Sequence, residues 1–433
     1  MASTSKRNKP KLGILVGGGP APGINGVISS ATIEGVKQGF DVIGFRDGFK
    51  WLALGDSTHR VSLGIDDVTG VNSRGGSILG TSRTNPTKSE QNMKNVLGVF
   101  RKLGVKALVT IGGDDTAFSA SHVYQKAAGA IRVAHVPKTI DNDLPLPGST
   151  PTFGFETARH LGTYVVRNLA EDAKTTSRWY LIVSMGRAAG HLALGIGKSA
   201  AATLTIIPEE FRGRPVTLDE ICDIIIGSIL KRQVDNSPYG IVVLAEGLIE
   251  AVGEKALIQA LPGGQLDRYG KVSRDDHGHL RLGEIEFGRL MKDLLTTRLE
   301  GLGIKMTLVD KDLGYELRCA NPIPFDTDYT RNLGYGAVKF LGSTDSTLYG
   351  AIISFVDGRM VPLPFDKMLN PHTGRMQVRK VNVDGEAYEC ARRYMIRLDR
   401  DDLSTPRQLA ALASLVKMTP TQFKQRFGYV AEH

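Results

Sequence analysis

Apolar residues gather in short runs, each ending in a turn rich in glycine and polar side chains. Leu12–Val16 is the first, Asp41–Phe45 the second, Ala107–Ile111 the third and Ile131–Val136 the fourth. Short runs bounded by turn residues predict buried strands. Between them the apolar spacing turns helical: Ile24, Ile28, Ala31 and Val36 in a helix to about Lys37, and Val96, Leu97, Phe100 and Leu103 on the inner side of a helix over Asn92–Lys102. A further helix is predicted from near Ala117. Strand, glycine turn, helix, repeated, is the pattern of a doubly wound α/β sheet, mostly parallel. Ligands bind such sheets at the carboxyl ends of the strands, so the turns after these runs are expected to converge on one cleft.

Beyond Pro151 the alternation restarts. Phe155–Ala173 reads as a helix, Tyr180–Ser184 as a strand, Ala202–Ile207 as a strand, Leu218–Lys231 as a helix and Gly240–Ala245 as a strand. The Gly- and Asp-rich stretch Pro262–His279 reads as a surface excursion. Helices are expected over about Ile285–Leu299 and through Leu333–Phe340. From about Val361 the chain carries more arginine and more turn signals, with an extended-looking Met376–Val383. Ser404-Thr405-Pro406 then opens a helix with Leu409, Leu412 and Leu415 on one side. The expected organisation is a basic tail over 1–11, one α/β domain over 12–152 completed by about 318–360, a second over 153–317, and a C-terminal extension over 361–433.

Composition adds exclusions. The 433 residues are 41% hydrophobic and 23% charged, ordinary for a globular protein with more than one domain. The net charge of +9 is partly in the N-terminal tail (Lys6, Arg7, Lys9, Lys11) and otherwise spread. No basic run with interleaved aromatics argues for nucleic acid, and small anionic substrates account for the excess. No apolar stretch is long enough to cross a bilayer, and the N-terminus lacks the apolar core of a signal peptide. Cys222, Cys319 and Cys390 stand far apart without a CxxC pair, so reduced thiols are expected. These features are those of a soluble, cytoplasmic protein.

The chemistry sits in the turns. Gly17–Gly26 reads equally as a turn for close helix–strand packing and as an anion cradle. It is no P-loop, and no acidic residue ends the second strand to hold a ribose. Gly112-Gly113-Asp114-Asp115 is more specific: glycines let backbone N–H groups approach a phosphate, and two carboxylates there demand a cation. Mg²⁺ takes one or two carboxylates plus phosphate oxygens, which assigns Asp114 to the metal. Pro137-Lys138-Thr139-Ile140-Asp141-Asn142-Asp143 places a lysine directly ahead of two carboxylates, the charges needed to take a proton from a hydroxyl beside a phosphate. Asp143 reads as well as an Asx-type turn. Arg83, Arg178, Arg187 and Arg318 lie in or beside turns and favour bidentate clamping of phosphate oxygens. His191 has no triad partner and reads as structural or subunit-facing.

The segments GGGPAPGING, GTSRTNP, GGDDT, PKTIDND, MGRAAGH, and LGYELR followed by PFD resemble the phosphofructokinases, in that family's order, over about residues 11–345. The resemblance implies two Rossmann-like doubly wound domains, the first for the phosphoryl donor and the second for the sugar phosphate. Asp115 and Lys138 stand where ATP-using members typically carry glycine. Asp115 would fill the room of a nucleotide's α-phosphate and repel it, and Lys138 would supply a cation to pyrophosphate. The pyrophosphate-dependent branch is therefore implied: reversible, Mg²⁺-dependent transfer from pyrophosphate to the 1-hydroxyl of fructose 6-phosphate, giving fructose 1,6-bisphosphate and phosphate. In that scheme Gly18, Asp115 and Thr116 meet the donor and Asp114 holds Mg²⁺. Asp141 is the base, supported by Asp143. Thr139 bonds the transferring phosphoryl, and Arg83 and Lys138 stabilise its charge. Met185, Gly186, Arg187, Glu246, Tyr315 and Arg318 would bind fructose 6-phosphate. Arg178 would reach a sugar-phosphate site from a neighbouring subunit, which implies a homodimer or homotetramer.

The chain departs from the family near Arg318. Val309 stands where an arginine is usual, with Lys305 or Lys311 as substitutes, and Cys319-Ala320 and Asp326-Thr327 replace Gly-Gly and Asp-Arg. These departures keep sedoheptulose 7-phosphate open as acceptor. ATP as donor is the other alternative within the fold. An NAD-dependent dehydrogenase lacks its ribose-binding acid here, and a binding module without catalysis would have lost Asp141.

Overall fold

The computed structural model describes residues 9–211, 214–261, 265–270, 284–368 and 377–431. Most of the basic tail and most of the excursion expected over 262–279 lie outside the described residues. In chain order the elements begin with β1 (Lys11–Val16), α1 (Ile24–Lys37), β2 (Asp41–Phe45), α2 (Lys50–Ala53), β3 (Arg60–Leu63), α3 (Glu90–Leu103), β4 (Val105–Gly112), α4 (Asp114–Ala127) and β5 (Arg132–Pro137). There follow α5 (Phe155–Thr176), β6 (Trp179–Ser184), α6 (His191–Ala200), β7 (Leu204–Ile206), α7 (Leu218–Val234), β8 (Gly240–Ala245), α8 (Leu248–Ala260), α9 (Phe287–Gly301) and β9 (Leu308–Leu313). The last are α10 (Pro324–Gly342), α11 (Asp345–Leu348), β10 (Ala351–Val356), β11 (Arg359–Pro364), α12 (Phe365–Met368), α13 (Glu386–Arg393), α14 (Arg400–Ser404), α15 (Pro406–Leu415) and α16 (Pro420–Phe427).

The chain divides into two compact units. One runs to Ala158 and takes up Tyr315–Arg379; the other is Arg159–Gly314 with Lys380 onward. Both are α/β units on largely parallel sheets. The segment from Val361, expected as an extension of its own, is shared: β11 edges the first unit's sheet, α12 and Arg379 stay with that unit, and the chain from Lys380 packs within the second.

The first unit's sheet has the order β11-β10-β5-β4-β1-β2-β3, parallel from β10 to β2 with an antiparallel strand at each edge. Alternate side chains of each strand serve opposite faces. Leu12, Ile14, Ala107, Val109 and Ala134 pack with α1 and α10, whereas Leu15, Leu108 and Val133 pack with α3 and α4. The crossing of α1 and α10 depends on Gly334, where a Cβ would lie 2.6 Å from the Val27 carbonyl oxygen and 2.9 Å from the Ala31 nitrogen. Asp326, in the first turn of α10, is fully buried. Its carboxylate accepts the N–H groups of Gly154 and Thr157, both at 2.8 Å, and so caps the start of α5.

The second unit's sheet, β7-β8-β6-β9, is wholly parallel. Its core joins Leu181 and Val242 to Ile221, Ile225 and Ile229 of α7, and extends to Leu412, Phe423 and Phe427 of the C-terminal helices. Those helices are pinned by buried charge. Asp223 accepts Arg426 Nη2 at 2.8 Å and the Tyr429 hydroxyl at 2.7 Å, and Arg397 is paired with Glu210 at 2.7 Å. The C-terminal segment is thus core, not appendage. Phe427→Ala, which empties a fully buried ring site, is expected to lower unfolding stability by about 3–5 kcal/mol. Urea or thermal denaturation followed by circular dichroism measures this, and a change within error would contradict the packing role.

Candidate active site

In the first unit β2 lies on one side of β1, while β4, β5 and β10 build out on the other. The reversal falls between β1 and β4. There the connections leave in opposite directions and open a crevice at the carboxyl ends of the strands. The turns after β1, β4 and β5 meet at this edge. The Gly17 N–H donates to the Ile111 carbonyl, the Gly18 N–H to the Ser82 carbonyl and the Lys138 N–H to the Gly112 carbonyl, each at 2.8 Å.

Glycine is required at several of these positions by close approach. A Cβ at Gly17 would lie 2.4 Å from Thr116 Oγ1, and one at Gly112 would lie 2.3 Å from Thr116 Cβ. Thr116, expected at the donor, is buried between the two glycine turns and sets their spacing. Gly18 has φ +80°, and a Cβ there would lie 3.3 Å from Lys138 Nζ. Lys138 is itself buried, and its ammonium donates to the Gly19 carbonyl. The cation is therefore seated against the glycine loop.

Asp114 and Asp115 form the first turn of α4, which starts ahead of the position expected near Ala117. Gly113 is the N-cap and offers no side chain, so acidic residues in the first turn answer the partial positive charge of the helix start. Asp114 is half-buried and Asp115 exposed. Among the described residues no three His, Cys, Asp or Glu side chains converge as a metal site. A single carboxylate beside a phosphate cradle still fits Mg²⁺, which draws its remaining ligands from phosphate oxygens and water.

The turn after β5 carries the second carboxylate pair. Asp141 is 8% exposed, and its N–H donates to Thr139 Oγ1 at 3.0 Å. Asn142 lies in the left-handed region at φ 56° and accepts the Thr152 N–H on its Oδ1 at 3.0 Å. Thr152 Oγ1 donates to the Thr139 carbonyl at 2.8 Å. Arg83 follows Ser82, the partner of the Gly17 bridge, and is exposed. Arg318 stacks its guanidinium over the exposed Tyr315 ring at 4.6 Å and comes within 3.8 Å of where a Gly19 Cβ would stand. Both thus belong to the donor-loop unit.

Three supporting residues escape sequence reasoning. Buried His135 accepts the Thr110 hydroxyl at Nδ1 (2.8 Å) and donates from Nε2 to the Gly112 carbonyl (3.0 Å). Burial pushes its pKa down to about 3, helped by the Lys138 charge and opposed by the Gly112 bond, so the ring is neutral with one donor and one acceptor. A histidine in an apolar run carries no signal of such a partner. Asn25, inside the first glycine motif, binds the next one: its side chain takes the Ile78 N–H at 2.9 Å and gives to the Arg74 carbonyl at 3.0 Å. Asp47 accepts Trp51 Nε1 at 2.9 Å.

In the second unit, the Met185 N–H donates to the Leu313 carbonyl at 2.9 Å and the Glu246 N–H to the Ser184 carbonyl at 3.0 Å, so the ends of β6, β8 and β9 are tied together. Glu246 Oε2 accepts the N–H groups of Gly186 (3.1 Å) and Arg187 (3.0 Å). This holds the turn in which Arg187, at φ 49°, is exposed. Gly247 allows the approach, since a Cβ there would lie 2.4 Å from the Arg187 carbonyl oxygen. Arg178 is not part of this cluster. It precedes β6, whose six residues put it about 20 Å from Met185, and it lies 3.9 Å from Asp172. Val309 is near the same end, paired with Tyr180, and Lys311 Nζ donates to the Asp312 carbonyl at 2.9 Å.

Comparison with known proteins fits this geometry. The phosphofructokinase family model matches residues 11–341. The chain is 52% identical over 422 residues to the pyrophosphate–fructose 6-phosphate 1-phosphotransferase of Thermotoga maritima, covering 98% of this chain and 99% of that protein. It is 48% identical over 433 residues to the protein of the same name from Naegleria fowleri, covering 98% and 97%. In fold it resembles the pyrophosphate-dependent phosphofructokinase of Marinobacter aquaeolei, with a TM-score of 0.64 at 17% identity over 94% of this chain and 91% of that one. Its glycine turns, its two carboxylate turns and near full-length likeness to these relatives make this chain a member of the phosphofructokinase family.

Proposed function

We propose that this chain transfers a phosphoryl group reversibly from pyrophosphate to the 1-hydroxyl of fructose 6-phosphate, giving fructose 1,6-bisphosphate and phosphate. The observation that carries the choice of donor is Lys138, buried against Gly18 and Gly19, in one unit with Asp115 on the first turn of α4. A pyrophosphate held at the glycine turns meets a fixed cation in a poorly hydrated place, where its charge counts for most. A nucleotide would bring an α-phosphate toward the Asp115 carboxylate. The full-length relatives carry the name of this reaction.

The chemistry divides among the residues as follows. Asp141 accepts the proton of the sugar 1-hydroxyl as that oxygen bonds to the phosphorus and the bridging P–O bond breaks, releasing phosphate. Asp143 supports it. Thr139 already accepts the Asp141 N–H at Oγ1, so its hydroxyl proton is directed elsewhere and donates to the phosphoryl in flight. Lys138 and Arg83 offset the charge on the phosphoryl oxygens, since such transfers are catalysed mainly by positioning and electrostatics. Thr116 keeps the glycine turns of the donor site apart.

Members of this family use a divalent metal; we assign it as Mg²⁺, which Asp114 would hold and which would supply charge neutralisation to the phosphate oxygens. In the second unit Met185, Gly186, Arg187 and Glu246 are assigned to the sugar phosphate; in the first, Tyr315 and Arg318 are assigned to substrate binding. Arg178, at the far end of β6, serves a second copy of the chain, which makes the working form a homodimer or homotetramer. An enzyme of small phosphorylated sugars is assigned to the cytoplasm by its substrates.

Two variants test the assignment. Asp141→Ala is expected to lower kcat by about 10²–10⁴-fold with little change in KM, read in a coupled assay for fructose 1,6-bisphosphate. Normal turnover would remove Asp141 as the base. The pair Asp115→Gly with Lys138→Gly is expected to weaken the use of pyrophosphate and admit ATP. Unchanged donor preference would show that other residues decide it.

A further inference from the structure

The Asp141–Asp143 turn needs support from outside itself. It puts two carboxylates two residues apart, and Asn142 between them holds the left-handed conformation at φ 56°, which asparagine tolerates better than most residues with a Cβ. Asp141 and Asn142 are buried and Asp143 is half-buried, so water screens the repulsion weakly and has little access to the backbone. The segment that follows, to Thr152, is held by few bonds: the Leu146 N–H gives to the Leu144 carbonyl at 2.9 Å, and the Thr150 hydroxyl gives to the carbonyls of Pro147 at 2.8 Å and Phe355 at 3.3 Å.

The support comes from far along the chain. Arg379, in the segment after Val361 to which the family resemblance gives no role, donates from Nε to the Asn142 carbonyl at 3.1 Å and from Nη1 to the Thr150 carbonyl at 3.0 Å. Its Nη2 donates to Asn142 Oδ1, the atom that also takes the Thr152 N–H. Its own N–H donates to the Asp143 carbonyl at 2.6 Å. Every one of these acceptors lies between Asn142 and Thr150. A guanidinium is a rigid planar fork of donors, and here it fixes the left-handed residue and the far end of the turn together. Burial lowers the pKa of Arg379 and the neighbouring Asp143 charge opposes this, so the cation also offsets the paired carboxylates.

We propose that Arg379 is a positioning residue for the phosphoryl transfer: through Asn142 and Thr150 it holds the Asp141–Asp143 turn at the distance the proton transfer needs. This rests on the reading of Asp141 as the base. A lysine keeps the charge but offers its donors from one point, so it can hold one acceptor of this set and not the spread of them.

The test uses Arg379→Lys and Arg379→Ala in the full chain, with Asp141→Asn as control. Displacing a reacting group by about 1 Å costs about 10²-fold in rate, and that is the fall in kcat expected for Arg379→Lys, with KM for pyrophosphate and fructose 6-phosphate changed by less than about twofold. Its thermal midpoint should stay near wild type. Added guanidinium should restore part of the kcat of Arg379→Ala and do nothing for Asp141→Asn. If Arg379→Ala does not fold, Arg379→Lys decides alone. Normal kcat in Arg379→Lys overturns the proposal. So does a joint loss of kcat, KM and thermal midpoint that guanidinium leaves untouched, because that is the signature of a structural role only. An active Asp141→Asn would instead overturn the base assignment. An inactive Asp141→Asn beside a fully active Arg379→Lys leaves the base in place and removes only Arg379.

Discussion

The Gly112 carbonyl accepts two hydrogen bonds, from the Lys138 N–H at 2.8 Å and from His135 Nε2 at 3.0 Å. Through it the exit of β5 is fastened to the exit of β4, one residue before the turn that carries Asp114 and Asp115. The histidine is neutral because it is buried, so both bonds persist across the physiological range. Thr116 fixes the remaining spacing by filling the gap between Gly17 and Gly112. Three strand ends are thereby locked into one edge, and the loops they carry have little freedom left. This matters for a reaction whose catalysis is mostly placement of charge. Placement cannot be improvised by mobile side chains without a large entropic cost.

The same logic explains the glycines. Each permits one backbone or side chain to come closer than a Cβ would allow. Gly18 admits the Lys138 ammonium, Gly247 admits the Arg187 carbonyl, and Gly334 admits α1 onto α10. Buried charge is handled in a matching way. Asp326, Asp223, Glu210 and Arg397 each have hydrogen-bonding partners, so none is left as an uncompensated ion.

The central strands were legible because they are buried on both faces and read as unbroken apolar runs; β2 and β8 fall where the pattern puts them. Of the edge strands β7 was, and β3, β9 and β11 were not. β9 carries Asp310, Lys311 and Asp312, for an edge needs no apolar run. β11 was hidden for the same reason, being only half-buried, whereas β10 is an interior, largely apolar strand that went unread. Within the site, Lys138 and Asp141 stood out because their charges have no structural excuse in a turn, and Asp115 because it adds a second carboxylate at a helix start that Asp114 already serves. His135 and Arg379 did not, since each acts through partners distant in sequence. Residues 142 and 379 lie 237 positions apart, and no local spacing announces their contact. The helical start at Asp114 was missed because Gly113 caps without a side chain.

The cation seated on the glycine loop and the carboxylate on α4 both point to pyrophosphate as the donor. The most direct measurement compares wild-type turnover of fructose 6-phosphate with pyrophosphate and with ATP, in the presence of Mg²⁺, by release of fructose 1,6-bisphosphate. Robust turnover with pyrophosphate and none with ATP is the predicted result. Comparable turnover with ATP would contradict it.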